Sequence, residues 1–188
     1  PRSAPAAAEV QNVEVCDVMY LSNVSESPQD AHARFRDHFD GPALDLADRL
    51  AVAAERVAAE GVVGGGFQCA ELVDALSPLL SQRPENAPLR RALIDHARNL
   101  LDRHMRRRVV SDLADWADAR GRRLHLYGRG WESIPRFAPY ARGVVEPGAE
   151  MARVWKSATV CIHAGLNSAL HQRVLDGVSA GAFFLIQE

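Results

Sequence analysis

Near its carboxyl end the chain reads SATVCIHAGLNSALHQRVLDGVSAGAFFLIQE, and most residues able to do chemistry lie there. Arg173 carries a guanidinium, a two-pronged donor matched to phosphate oxygens. Asp176, three residues on, is a carboxylate able to accept from sugar hydroxyls. His163 ends an apolar run and offers an imidazole to a sugar hydroxyl or a phosphate; His171 lies just before Arg173. Gly165 permits a tight turn, and Asn167 or Ser168 is suited to cap the helix that follows. The pattern is apolar strand, polar loop, helix, the small residues Ser179-Ala180-Gly181, and a second apolar strand. That is one β-α-β crossover of a parallel sheet. Open sheets of this kind bind ligands beyond the carboxyl ends of their strands, and N–H groups at a helix start attract anions. The spacing points to a site for a nucleotide or a nucleotide sugar.

Two further loops carry polar groups at strand ends. Gly128-Arg129-Gly130-Trp131 follows LHLY: the glycines allow a close backbone approach to a ligand, Arg129 offers a guanidinium and Trp131 a flat face. Ser22, Asn23 and Ser25 follow the first strand. Each feature also has a structural explanation. Arg173 and Asp176 are spaced to form a surface ion pair, Gly-x-Gly after a strand is a tight turn, and Ser and Asn are ordinary turn formers. His163 and His171 lack a nearby carboxylate or thiol to complete a metal site. No Ser-His-Asp arrangement, phosphate-binding P-loop or G-x-G-x-x-G motif occurs.

The elements that must hold these loops follow from periodicity. Residues 13–23 form an apolar, β-rich first strand. Pro28 opens a helix, Gly41-Pro42 interrupts it, and residues 43–60 repeat apolar side chains every three or four positions. Helices over 69–80 and 89–120 are expected next, the second studded with arginine, so that 43–120 is almost wholly helical and packs beside the first strand. From Arg122 the period shortens, and strands are expected at 124–128, 142–145, 159–163 and 183–186, all parallel neighbours. A short helix is expected at 150–157. The fold class is α/β, a Rossmann-like parallel sheet with flanking helices and a large helical block, 29–120, inserted after the first strand. Residues 1–12 read as a linker or cut end and 13–188 as one domain. Because an apolar strand closes the chain with no covering helix behind it, the domain reads as incomplete at its carboxyl end.

Composition narrows the class. The 188 residues suffice for one core plus a helical elaboration. A net charge of −2 gives no bulk attraction to polyanions, so nucleic acid is not an expected partner. The basic runs Arg106-Arg107-Arg108 and Arg122-Arg123 sit among acidic residues and read as solvated helix faces. Three cysteines, Cys16, Cys69 and Cys161, form no C-x-x-C pair, and PRSAPAAA lacks the apolar centre of a signal peptide. A reducing, cytoplasmic setting is expected. No apolar run approaches the roughly 18 residues a transmembrane helix needs.

CDVMYLSNVSESP, LYGRGW, RGVVEPGAEMARVWKSATVCIH and HQRVLDGVSAGAFFLIQE together resemble the carboxyl-terminal domain of GT-B-fold glycosyltransferases, group 1, in the spore-maturation CgeB-type branch. The likeness covers residues 15–28 and 122–188; the helical block between is not diagnostic. It implies half of a two-domain GT-B architecture, a nucleotide-diphosphate-sugar donor, an unknown hydroxyl acceptor (glycan, protein or small molecule) and no obligate metal or other cofactor. The acceptor-binding domain would lie elsewhere in the full polypeptide. The resemblance places Gly128, Arg129 and Trp131 beside base and diphosphate, Asp176 at the ribose, and His163, Gly165 and Asn167 near sugar and phosphates. Ser22, Asn23 and His171 complete the expected donor site, with Arg173 and His163 as the catalytic candidates. Ser168 stands where many related retaining enzymes carry a second acidic residue. The rival reading is a non-catalytic Rossmann-like module whose helical block binds a protein partner.

Overall fold

The first strand, β1 (Cys16–Leu21), is CDVMYL, a short run of apolar and aromatic residues around one aspartate. Such a run suits a strand covered on both faces. Asp17 accounts for its own polarity: its carboxylate accepts from the Arg123 backbone N–H at 2.8 Å and pairs with Arg122. In the computed structural model residues 14–24, 26–60, 87–165 and 171–186 are described. Four strands form one all-parallel sheet, β1, β2 (Leu124–Tyr127), β3 (Ala158–His163) and β4 (Phe184–Ile186), in the spatial order β2-β1-β3-β4. Val18 pairs with Leu124 on one side and with Val160 on the other.

Among the described residues three helices intervene between β1 and β2: α1 (Pro28–Arg36), α2 (Gly41–Glu60) and α3 (Ala87–Arg120). Ser27 caps α1 by accepting from the Asp30 N–H, with Pro28 in the first turn where a missing N–H costs nothing. Two 3-10 turns (Trp131–Ser133 and Ala138–Tyr140) and α4 (Ala149–Ser157) lead from β2 to β3, and α5 (Gln172–Ser179) joins β3 to β4. The fold is Rossmann-like α/β with a helical insertion after the first strand.

The sheet is buried on both sides at β1 and β2, whereas β4 at its edge stays partly exposed. On one face Val18, Tyr20, Leu124 and Leu126 pack against Val110, Ala114 and Ala117 of α3, with Trp131 and Phe137. On the other, Met19, Tyr127 and Cys161 pack against Val154 and Trp155 of α4. Gly177 lets α5 lie close: a methyl group there would overlap the Phe184 ring. The insertion has a third core of its own, in which Ala47, Leu50, Ala54 and Ala58 of α2 meet Leu93, Ala97, Leu100, Leu101 and Met105 of α3. A helix of 34 residues is about 50 Å long, more than twice the length of these strands. Only its carboxyl-terminal half can reach the sheet, so α1 and α2 bury their apolar stripes against its amino-terminal half.

Several expectations are corrected. Residues 142–145 are not a strand. Ala141 makes one parallel bridge to Leu126, Arg142 N–H donates to the Leu126 carbonyl, and Gly128 N–H to the Gly143 carbonyl. Gly143 then turns the chain out of extended geometry with φ +79°, and pairing stops. The strands at 124–127 and 158–163 are also not neighbours, because β1 inserts between β2 and β3, whereas β3 and β4 do pair. The first strand starts three residues later than expected and ends two residues earlier. Residues 69–80 lie outside the described residues.

Candidate functional site

The chain passes from β1 to β2 on one side, then crosses to β3 on the other, so the strand order reverses between β1 and β3. Loops leave in opposite directions at such a point and open a crevice beyond the carboxyl ends of the two strands, where sheets of this class bind ligands. Ser22 follows β1; His163 ends β3, and Gly165 lies two residues beyond. Ser22 is buried beside the Tyr20 phenol. Burial raises the Tyr20 pKa against the opposing pull of Arg106 and Arg173, so the phenol stays protonated at neutral pH.

Arg106, from the middle of α3, reaches this crevice. Its Nε lies 2.8 Å from an Asp102 carboxylate oxygen, and one terminal nitrogen donates to Ser22 Oγ at 3.5 Å. A methyl group placed on Gly165 would stand 3.6 Å from the other terminal nitrogen and 3.5 Å from Asp102 Oδ1. The basic run 106–108 is therefore not a solvated face throughout. Arg106 turns toward β1, and Arg108 donates to the Ala58 and Ala59 carbonyls near the end of α2.

His171 caps α5, its Nδ1 accepting from the Arg173 backbone N–H at 3.1 Å. The cap is thus His171 and not Asn167 or Ser168; residues 166–170, with Ser25, lie outside the described residues. Burial, then Arg173 and Arg106, hold the His171 pKa below its ordinary value, so the ring is neutral near pH 7 and its Nδ1 remains an acceptor. His163 is buried, and its ring lies 5.3 Å from that of His171. Arg173 is half-buried, and desolvation with the nearby Arg106 charge lowers its pKa, though a guanidinium remains cationic. It does not pair with Asp176. That carboxylate is exposed and accepts from Gln172 Nε2 at 2.7 Å on the same helix.

The loop after β2 has a different task. Ser22 N–H donates to the Tyr127 carbonyl, Val24 N–H to the Arg129 carbonyl at 2.8 Å, and Arg129 N–H to Asn23 Oδ1 at 2.9 Å. Trp131 is only 3% exposed, lies edge-on to Tyr20 and Phe137, and donates its indole N–H to the Ser22 carbonyl at 2.6 Å. Gly128 has φ +128°, and a Cβ there would overlap the Ser22 carbonyl. Asn23, Gly128 and Trp131 therefore fasten one loop to the other and fix where Ser22 stands. The Arg129 side chain is exposed.

Of the expected site residues, Ser22, His163, Gly165, His171 and Arg173 lie near one another beyond the ends of β1 and β3. Sequence reasoning missed Tyr20, Arg106 and Asp102. Tyr20 reads as one more apolar strand residue, and nothing local distinguishes Arg106 from the arginines beside it. The thiols of Cys16 and Cys161 are buried, with pKa values pushed up by desolvation to about 11 and about 12, so neither is a nucleophile at neutral pH. Among the described residues, no group of three His, Cys, Asp or Glu is placed to hold a metal ion, and no helix is long and apolar enough to cross a membrane. No family model, curated protein or solved structure matches the chain.

Proposed function

We propose that this chain is the donor-binding half of a glycosyltransferase, holding a nucleotide-diphosphate sugar in the crevice between β1 and β3 for transfer to a hydroxyl acceptor. The observation that carries the reading is Arg173. It is a half-buried guanidinium with no carboxylate partner among the described residues, at the reversal point of a parallel sheet and beside a second arginine. Removing a cation from water without neutralising it is unfavourable, and an anionic ligand restores the balance. In the reaction Arg173 stabilises charge developing on the departing diphosphate, and His163 contacts sugar or phosphate from the end of β3. The motifs shared with GT-B carboxyl-terminal domains select a sugar nucleotide from among phosphate-bearing ligands.

A thermal-shift panel of UDP, GDP, ADP and dTDP sugars tests this reading. A ligand at one hundred times its dissociation constant stabilises the fold by about 2.7 kcal/mol, a shift of several degrees. At least one member is expected to produce it in wild type and to lose most of it in Arg173→Gln. No shift across the panel would favour the rival, a partner-binding module.

A further inference from the structure

We propose that Arg106 is a second ligand-binding arginine of the crevice and that Asp102 is its displaceable counter-ion, so that a diphosphate binds by exchanging with Asp102. The guanidinium bridges the two strand ends: Nε is on Asp102, one terminal nitrogen points to Ser22 after β1, and the other faces Gly165 after β3. A planar fork in that position presents its donors along the crevice, the geometry suited to bidentate phosphate recognition.

Charge supports the same conclusion. Arg106 and Arg173 are close enough to act on Tyr20 and His171 alike, and His171 is neutral near pH 7. Among the described residues two cations face one carboxylate here, an excess of one positive charge. Folding would not gather like charges here for their own sake, because they repel. The Asp102–Arg106 pair is an i,i+4 contact within α3, and its two side chains are 17% and 28% exposed. The pair is largely buried, so an anion that displaces Asp102 must itself give the Arg106 donors an equivalent charge-assisted contact, which a phosphate oxygen does. Asp102 nonetheless competes directly with any anion for the same donors.

The inference deepens the donor-binding reading by naming the residue from the helical insertion that takes part, but its test does not require a sugar nucleotide. Inorganic pyrophosphate is titrated calorimetrically into the whole chain at low ionic strength, in wild type, Arg106→Gln, Arg106→Lys, Arg173→Gln and Asp102→Asn. Loss of one charge-assisted contact should weaken binding about tenfold in Arg106→Gln and in Arg173→Gln, with Arg106→Lys intermediate. Asp102→Asn should tighten it severalfold, a gain that misfolding cannot imitate. Unchanged affinity in Arg106→Gln, or unchanged or weakened affinity in Asp102→Asn, overturns the inference. UDP-glucose and GDP-mannose are titrated in parallel. Arg106-dependent binding of pyrophosphate with no affinity for either sugar nucleotide leaves the inference standing and counts against the donor reading. Sugar-nucleotide binding indifferent to Arg106→Gln does the reverse, and a wild type that binds nothing contradicts both.

Discussion

At the scale of single residues, the polar groups near the crevice divide into those that face it and those that hold it in place. Gly128 belongs to the second group. Its positive φ and its contact with the Ser22 carbonyl leave no room for a side chain. Gly128→Ala is expected to destabilise the protein by about 2 kcal/mol or more, read as a lowered urea midpoint with unchanged slope. Asp176 makes the contrasting case. Its identified hydrogen bond is to exposed Gln172, so Asp176→Asn should move the melting temperature of the empty protein very little. If Asp176 also holds the donor ribose, the same substitution weakens the best sugar nucleotide of the panel about tenfold. Equal affinities by calorimetry would remove Asp176 from the site.

At the scale of elements, periodicity was enough to read the α-helices of the described residues and three of the four later strands, because burial on one face or on both leaves a local imprint. Residues 142–145 resembled a strand by the apolar Val144-Val145, yet Gly143 takes a positive φ that no apolar count reveals. Strand order was illegible, since nothing in β1 says that β3 and not a later strand lies beside it. Arg106 was illegible for a similar reason: its role depends on which half of a long helix overlies β1. The insertion also carries a chain of polar contacts across α1, α2 and α3. Asp48 bonds His32 at 2.9 Å, His32 bonds His96 at 2.9 Å, and the His96 ring stacks on Phe35. Burial, then the charges of His32 and Arg103, depress the His96 pKa to about 4. The folded protein therefore keeps His96 neutral while the unfolded chain takes up a proton below about pH 6.5. Stability from this group is full above that pH and is lost as pH falls toward 4. His104 and His125, also depressed by burial, act in the same direction. Urea unfolding should show a loss on the order of 1–2 kcal/mol between pH 7 and pH 5 that His96→Gln partly removes. A pH-independent midpoint over that range would show that His96 is not held neutral.

At the scale of the whole molecule, the helical insertion is more than an appendage. Its amino-terminal part has its own core, while α3 continues onto the sheet and brings Arg106 to the strand ends. The site is therefore assembled from three separate stretches: the end of β1, the middle of α3, and β3 with α5. The central claim is that an anionic nucleotide-sugar ligand binds at that junction. The most direct measurement is amide chemical-shift mapping of the 20.6 kDa chain during titration with the sugar nucleotide that gives the largest thermal shift. The account predicts that the largest perturbations fall at Ser22 and Asn23, Arg106, Ala164 and Gly165, and His171 to Arg173, with α1 and α2 little affected. Perturbations confined to α1 and α2, or none at saturating ligand, would contradict it.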